Sequence, residues 1–285
     1  MNAAAAAGHS GGGVGGGPAI QGRMGVVRAL PDLERRAFAL RHLYVYPKLR
    51  LAYTYTPKNA CTSFKRTFGR AQGWLSDDSP AAHDMTLSWW LSGLVRYPST
   101  DERILVVRDP FDRVLSAYLN RFLTSDTAAA DHAMRTGLAA SLAASPAASP
   151  GLGANRDDVT FRDFVGYLST TPSRALNEHW RPQSDFLLGH YTRMLRFEHL
   201  AEDTRFLSQR GVTVQQARGH GTSSLRQDLG SGWGTRPARR LRRLRQRRGV
   251  LPTADNMYDD DLRAMVADRY ACDIELFHLA ARLAT

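Results

Sequence analysis

The segment from residue 51 to residue 68 constrains the fold more than any other part of the sequence. Residues 51–55 (LAYTY) are β-branched and aromatic, as in a strand. Phe64 and Phe68 lie four residues apart, the spacing of one helix face. Residues 56–63 (TPKNACTS), which lie between this strand and this helix, predict a tight loop. A strand, a tight loop and a helix start together direct backbone N–H groups and a partial positive charge at one point, where an anion binds.

The side chains of this loop are compatible with an anion, but they do not require one. Lys58 supplies a mobile cation, and Thr62 and Ser63 supply hydroxyl donors. The alternative is an ordinary strand–helix turn with a surface lysine, and this segment alone does not separate the two. Cys61 is a nucleophile candidate by position only, because no histidine partner is evident beside it.

A second junction of the same kind begins at residue 103. Residues 103–107 (RILVV) are compact and apolar, as buried strands are. Arg108 follows directly, Asp109 is a good helix N-cap, and Pro110 suits the first helical position. In open α/β sheets, ligands bind outside the carboxyl ends of strands. Two cationic junctions therefore predict a ligand that carries phosphate at both ends.

Both junctions resemble motifs of a known family. TPKNACTSFKR (56–66) and VRDPFDRVLSAYLNRF (107–122) resemble the 5′-phosphosulfate and 3′-phosphate binding motifs of carbohydrate sulfotransferases of the chondroitin and dermatan type. The resemblance extends over roughly residues 40 to 285, and it implies that the donor is 3′-phosphoadenosine-5′-phosphosulfate (PAPS). Four later blocks occur in the family's order: DDVTFRDFVGYL, LNEHWRPQSDFL, YTRMLRFEHLAEDTRFL and NMYDDDLRAMVADRYACDIELF.

The resemblance also implies roles for individual residues. Lys58 is the cation expected to stabilise the departing phosphate. Arg108 and Ser116 are expected to bind the 3′-phosphate, since an arginine fork suits phosphate oxygens. Arg113 is a further donor ligand; the alternatives are that it points to solvent or pairs with Asp109. The loop expected to bind the 5′-phosphosulfate comprises Pro57, Lys58, Asn59, Ala60, Cys61, Thr62 and Ser63.

The general base that removes the acceptor proton stays open at this point. A neutral histidine suits the role at pH 7. His83 lies between the two junctions, where the relatives carry a histidine, and His179 lies in the NEHW block. Glu178 and Glu198 are further candidates. We expect no metal, because lysine, arginine and N–H groups suffice for an anionic donor; the acidic residues 259–261 predict the capped start of a helix.

The predicted fold is α/β: a short parallel sheet flanked by helices in a P-loop-like arrangement. A chain of 285 residues is long enough for one large domain. The Ala/Gly-rich residues 1–30 are expected to be a disordered tail, and residues 31–285 a single sulfotransferase domain. The core strands are predicted near residues 51–56, 103–108 and 193–197.

Two insertions near 125–156 and 230–249 interrupt this domain. The first is rich in Ala, Ser, Pro and Gly, which predicts a surface loop or a partly helical arm. The second carries eight arginines between Arg236 and Arg248. These account for most of the formal net charge of +11, so the basicity of the chain is local. These arginines either bind a polyanion, such as a sulfated or uronate glycan or a membrane surface, or form a solvated face. Leu241 and Leu244 allow a short amphipathic basic helix there.

These features together predict a sulfotransferase that moves a sulfuryl group from PAPS to a hydroxyl of a carbohydrate or glycoconjugate. No segment is apolar enough to span a bilayer, the N-terminus has neither signal nor anchor, and there are only two cysteines. We therefore expect a cytoplasmic, soluble enzyme and consider nucleic acid an unfavoured partner. The alternatives are another P-loop-type nucleotide enzyme, although no GxxxxGK[ST] run is present, and a non-catalytic polyanion-binding module.

Overall fold

The computed structural model describes residues 33–76, 100–123, 137–150, 152, 155, 157–214 and 225–283. The candidate base His83, the N-terminal tail and part of the first predicted insertion lie outside these described residues.

A four-stranded sheet of order β1-β2-β3-β4 forms the centre of the molecule. Strands β2, β3 and β4 are parallel, at the three predicted places, and the α/β class is confirmed. The edge strand β1 was not predicted and pairs antiparallel with β2, so the sheet is mixed. A short 3-10 turn at Pro47–Leu49 connects β1 and β2. A two-residue hairpin turn, the strongest short-range sequence signal for a pair of antiparallel strands, is not present there. The strands are β1 Leu43–Tyr46, β2 Leu51–Thr54, β3 Glu102–Val107 and β4 Arg193–Arg196.

Helices flank the sheet on both faces, and a small parallel pair, β5 Arg226–Gln227 and β6 Leu251–Pro252, lies apart from it. Residues 137–143, within the first predicted insertion, are also helical. The second insertion contains helix α7, Ala238–Arg248, which is the short basic helix that the sequence allowed. In chain order the helices are α1 Leu33–Arg41, α2 Cys61–Gln72, α3 Pro110–Leu123, α4 Phe161–Thr170, α5 Leu200–Asp203, α6 Arg205–Ser208, α7 Ala238–Arg248, α8 Ala254–Met257, α9 Asp260–Arg269 and α10 Ala271–Leu283.

The central strand β3 is buried on both faces, and its side chains alternate between two clusters. Ile104 and Val106 pack with the aromatic residues of α2, including the predicted Phe64 and Phe68. On the other face, Leu105 and Val107 pack against α10. A third and larger cluster joins α3 to α4, α7 and α9. The carboxyl end of β3 therefore lies where the α2, α3 and α10 layers meet.

Among the described residues, no helix combines the length and the apolar character that crossing a membrane requires.

Candidate functional site

The loop between β2 and α2 has an unusual backbone. Lys58 and Ala60 adopt left-handed φ values of 73° and 57°. Such a conformation costs a non-glycine residue about 1–2 kcal/mol, so surrounding contacts must enforce it. Asn59, between them, is fully buried; its Nδ2 donates to Val106 O at 2.8 Å and to Gln183 Oε1 at 2.5 Å. The loop is therefore fixed to the end of β3 by its central residue.

The first turn of α2 opens onto this loop. Its first intrahelical bond runs from Phe64 N–H to Ala60 O at 3.2 Å. The N–H groups of Cys61 and Thr62 precede that bond and have no intrahelical acceptor. Together with the helix dipole, they form the kind of anion-binding end that the sequence indicated.

Arg108 connects the two junctions. It follows β3 directly, and its Nη1 donates to Lys58 O at 2.9 Å. Its guanidinium carbon lies 4.2 Å from the centre of the Phe197 ring. Burial lowers the pKa of Arg108 to about 10, so the side chain remains charged at neutral pH. Its buried Nε has no acceptor among the described residues.

Gln183, which the sequence did not single out, holds both junctions in place. Its Oε1 accepts from Arg108 N–H at 3.0 Å as well as from Asn59, and its Nε2 donates to Arg108 O at 2.9 Å. Its own N–H donates to Asp273 Oδ2 at 2.7 Å, at the start of α10. Through its side-chain amide and its backbone N–H, Gln183 thus connects the loop after β2, the end of β3 and helix α10. The only sequence signal was its place in the LNEHWRPQSDFL block.

Arg113 is buried and clamps three backbone carbonyls. Its Nε donates to Pro57 O at 3.2 Å, its Nη1 to Arg181 O at 2.8 Å, and its Nη2 to Glu178 O at 3.3 Å. Burial lowers the pKa of Arg113, and the nearby carboxylate of Asp273 opposes that shift. These contacts place its charge beneath the loop and give it a supporting role there.

The start of α3 matches the prediction in part. Asp109 Oδ1 accepts from Asp112 N–H at 2.9 Å and caps the helix. The alternatives in which Arg113 points to solvent or pairs with Asp109 are both wrong, because Arg113 is buried and donates to the three carbonyls instead. Ser116 lies half-buried on the same helix. Arg226 of β5 forms an ion pair with Asp112, while its Nε and Nη2 are buried without an acceptor among the described residues.

Lys58 lies among like charges. Burial, followed by repulsion from Arg121, Arg108 and Arg113, lowers its pKa to about 7, although the nearby Cys61 thiol opposes this. Such a group is half-neutral at physiological pH in the free protein. An anion placed beside it would favour the charged form and raise its pKa again.

His179 contacts two groups that demand opposite tautomers. Its Nδ1 lies 2.9 Å from Arg121 Nη2, which can only donate, and 2.8 Å from Asn177 Oδ1, which can only accept. Asn177 Oδ1 also accepts from the His179 N–H at 3.1 Å, which fixes the orientation of the amide. Burial and the charge of Arg121 lower the pKa of His179 to about 3, so the ring is neutral in either tautomer. Only the tautomer that donates to Asn177 leaves Nε2 free to accept a proton.

The acidic candidates differ in environment. His42 Nε2 lies 2.8 Å from Glu178 Oε2, and His42 Nδ1 lies 2.7 Å from Phe38 O, so both ring nitrogens face acceptors. The hydrogen bond from His42 lowers the pKa of Glu178, which weakens it as a base. Glu198 accepts from Asp109 N–H at 3.2 Å, and burial raises its pKa.

No group of three His, Cys, Asp or Glu side chains within the described part of the chain is arranged to hold a metal ion. Asp259 Oδ1 accepts from Leu262 N–H at 2.9 Å and forms an ion pair with Arg162, which confirms the helix-capping interpretation of the acidic run. Cys61 and Cys272 are both free thiols.

Comparison with known proteins agrees with the motif resemblance. The sulfotransferase family profile matches residues 41–280. Carbohydrate sulfotransferase 14 of Homo sapiens is 34% identical over 173 residues, which are 58% of this chain and 44% of that protein. Carbohydrate sulfotransferase 11 of Mus musculus is 32% identical over 189 residues, 60% of this chain and 53% of that protein. The chain thus spans about half the length of these curated relatives. No solved structure gives a significant match.

Proposed function

Because the chain belongs to the sulfotransferase family, we propose that it transfers a sulfuryl group from PAPS to a hydroxyl group of a carbohydrate. The observation that carries the proposal is the hydrogen bond from Arg108 Nη1 to Lys58 O at 2.9 Å, because it joins both anion-binding junctions in one site. The names of the curated relatives support a carbohydrate as the acceptor class.

The side chains present suit a nucleotide with phosphate groups at both ends. We assign the 5′ end to Lys58 and to the N–H groups that open α2. We assign the 3′-phosphate to Arg108, Ser116 and Arg226. Buried guanidinium nitrogens of Arg108 and Arg226 find no acceptor among the described residues, and an unsatisfied buried donor costs about 1–3 kcal/mol. Phosphate oxygens are the acceptors that such nitrogens bind best.

In the proposed reaction, the bond between sulfur and the phosphate oxygen breaks and a bond from sulfur to the acceptor oxygen forms. Lys58 in its charged form stabilises the phosphate oxygen, which gains negative charge as the bond breaks. Arg113 contributes by holding the backbone at Pro57 and at Glu178 in fixed positions. The protein thus acts mainly by positioning and by charge.

The acceptor hydroxyl must also lose its proton. We propose His179 or His83 as the base that takes it. His179 is competent only in the tautomer that donates from Nδ1 to Asn177 Oδ1. Its low pKa makes it a weak base until an anionic donor offsets the charge of Arg121. A base with a higher pKa would accept the proton more readily.

The test is sulfate transfer from labelled PAPS to a panel of carbohydrates by the wild type and by two lysine variants. We expect Lys58→Met to lower kcat by about a hundredfold or more, as loss of a preorganised charge does, with a modest effect on donor affinity. The matched control is Lys48→Met, since Lys48 is exposed. Near-wild-type turnover by Lys58→Met would remove this residue from the mechanism. A wild type that binds PAPS but sulfates no carbohydrate would overturn the acceptor class.

A further inference from the structure

Helix α7 is anchored to the rest of the protein by one face. Leu241 is fully buried in the cluster that contains α3. Arg242 donates from Nη2 to Phe122 O and from Nη1 to Asp157 Oδ1, both at 2.8 Å. These contacts satisfy a carbonyl at the C-terminal end of α3, which has no intrahelical partner. Leu241 and Arg242 therefore have structural roles, and Arg242 is not part of a solvated face.

The opposite face of α7 carries a row of exposed arginines. Arg240, Arg243 and Arg247 are spaced by three and four residues, so they lie on one side of the helix; we call them the arginine stripe. The stripe is about 10 Å long, at 1.5 Å per helical residue. Within the described part of the chain none of the three pairs with a carboxylate, whereas the neighbouring Arg239 pairs with Asp158.

The stripe is electrostatically unfavourable in the free protein. Like charges three and four residues apart destabilise a helix, because they are neighbours on its surface. An anionic partner with regularly spaced charges would reverse the sign of that interaction.

The helix that carries the stripe packs against the end of α3, which approaches the candidate base His179. Arg242 of α7 bonds to Phe122, and the preceding residue, Arg121, contacts His179. A polymer whose reacting sugar lies near His179 can therefore reach the stripe by crossing the end of α3. The stripe lies on the face of α7 that points away from α3, and a helix with its side chains is about 10 Å thick. We therefore expect a short oligosaccharide in the site not to reach it.

We propose that the arginine stripe binds an anionic polysaccharide that carries carboxylate or sulfate groups. The acceptor sugar in the site is one unit of the same polysaccharide chain. The acceptor part rests on the proposed function. A membrane surface fits less well, since Leu241 faces inward, Leu244 is half-buried and the exposed face is wholly polar. Single-stranded nucleic acid binds through stacking on aromatic residues, and the aromatic residue nearest to α7 in sequence, Trp233, is covered by Arg236 at 4.5 Å.

The direct test measures binding of polymeric chondroitin sulfate, without donor, to two variants with equal loss of charge. One is Arg243→Gln/Arg247→Gln in the stripe; the other is Arg36→Gln/Arg205→Gln, two exposed arginines on α1 and α6. Glutamine keeps the helix propensity nearly unchanged. We expect binding about fivefold weaker in the stripe variant only. Its dependence on salt should also be shallower, because fewer counterions are released.

Two results of this experiment would overturn the proposal. One is equal weakening in both variants, which would show that only net charge matters. The other is tighter binding to duplex DNA or to phosphatidylserine vesicles than to the polysaccharide, lost in the stripe variant, which would assign a different partner. Circular dichroism of both variants establishes that α7 is intact, and a stripe variant that is folded and binds like the wild type also counts against the stripe.

Kinetics separate this proposal from the proposed function. With sulfate transfer established, the stripe variant should lose about fivefold in kcat/KM for the polymer and nothing for a tetrasaccharide of the same composition. Equal effects on both lengths would overturn the stripe and leave the transferase activity intact. If the wild type transfers no sulfate but the stripe variant still loses polysaccharide binding, the proposed function fails and the binding surface is supported.

Discussion

At the scale of single residues, the proposed donor site depends on the charge of Lys58. The chain has only three lysines, Lys48, Lys58 and Lys65. Lys58 lies among arginines that lower its pKa to about 7. Because the charged form binds an anion, donor binding above pH 7 must be accompanied by uptake of a proton, and affinity should fall as pH rises.

Trace labelling of the lysines with acetic anhydride, resolved by mass spectrometry, measures this pKa directly. The labelling rate of Lys58 should be half-maximal near pH 7, since only the neutral amine reacts. Exposed Lys48 is the internal control. Saturating 3′-phosphoadenosine-5′-phosphate should move the Lys58 profile to higher pH. A Lys58 profile that coincides with that of Lys48 would contradict the charge cluster.

The general base has its own signature in the pH dependence of kcat/KM, which reports the free protein. The required base must be unprotonated, so activity falls as pH drops through its pKa. With His179 as the base, a pKa of about 3 predicts no acidic limb above about pH 4. An ordinary histidine predicts a limb near pH 6.5. The requirement for charged Lys58 predicts a basic limb near pH 7 in both cases.

Variants then identify the residue behind any acidic limb. Loss of a limb near pH 6.5 in His83→Gln assigns the base to His83. For His179, Asn177→Leu is the informative partner, because it removes the acceptor that favours the base-competent tautomer. If His179 is the base, this variant should lower kcat and leave KM for PAPS nearly unchanged. A limb near pH 6.5 that persists in both His83→Gln and His179→Gln would exclude both histidines.

At the scale of secondary structure, the sequence predicted the elements whose signals are local. The strands β2, β3 and β4 are short apolar runs, and α3 begins with its own N-cap, Asp109. The edge strand β1 was missed because its pairing depends on β2 and not on its own pattern. The signal for the loop residues 57–63 is also local, because a strand and a helix flank them closely in sequence.

The contacts that shape the site could not be read from sequence, because their partners are distant in the chain. Gln183 contacts Asn59 and Arg108, which precede it by 124 and 75 residues. The sequence assigned no role to Arg121, yet its charge, after burial, lowers the pKa values of His179 and Lys58. A single sequence indicates the type of a residue and its local structure, whereas these roles depend on tertiary packing.

Gln183 allows a test of whether the two junctions are coupled. Gln183→Met keeps the volume but leaves Arg108 N–H and Asn59 Nδ2 without the shared acceptor. We expect a loss of about 1–3 kcal/mol in the free energy of unfolding, measured by urea denaturation. Affinity for 3′-phosphoadenosine-5′-phosphate, measured at a temperature where the variant is folded, should also fall. The same loss of stability with unchanged affinity would show that Gln183 supports the fold but not the site.

At the scale of the whole molecule, the site joins parts of the domain that otherwise have separate cores. Helix α2 belongs to the cluster on one face of the sheet, and α3 to the larger cluster beside it. Asp273 of α10 connects the third layer through Gln183. A ligand held by residues from both α2 and α3 should therefore stabilise the entire domain, and not only the loops that contact it.

Thermal unfolding measures this effect. At a concentration one hundred times its Kd, 3′-phosphoadenosine-5′-phosphate should stabilise the protein by about 2.7 kcal/mol, which raises the Tm by about 5 to 10 °C for a domain of this size. Arg108→Ala removes a charged hydrogen-bond partner worth about 2 kcal/mol. The same ligand concentration then exceeds the Kd only about threefold, and the shift falls to about a third. Arg205→Ala, at an exposed position, should keep the full shift. ATP lacks the 3′-phosphate and should shift the Tm less in the wild type. Equal shifts with both nucleotides, or a full shift in Arg108→Ala, would show that Arg108 does not bind the 3′-phosphate.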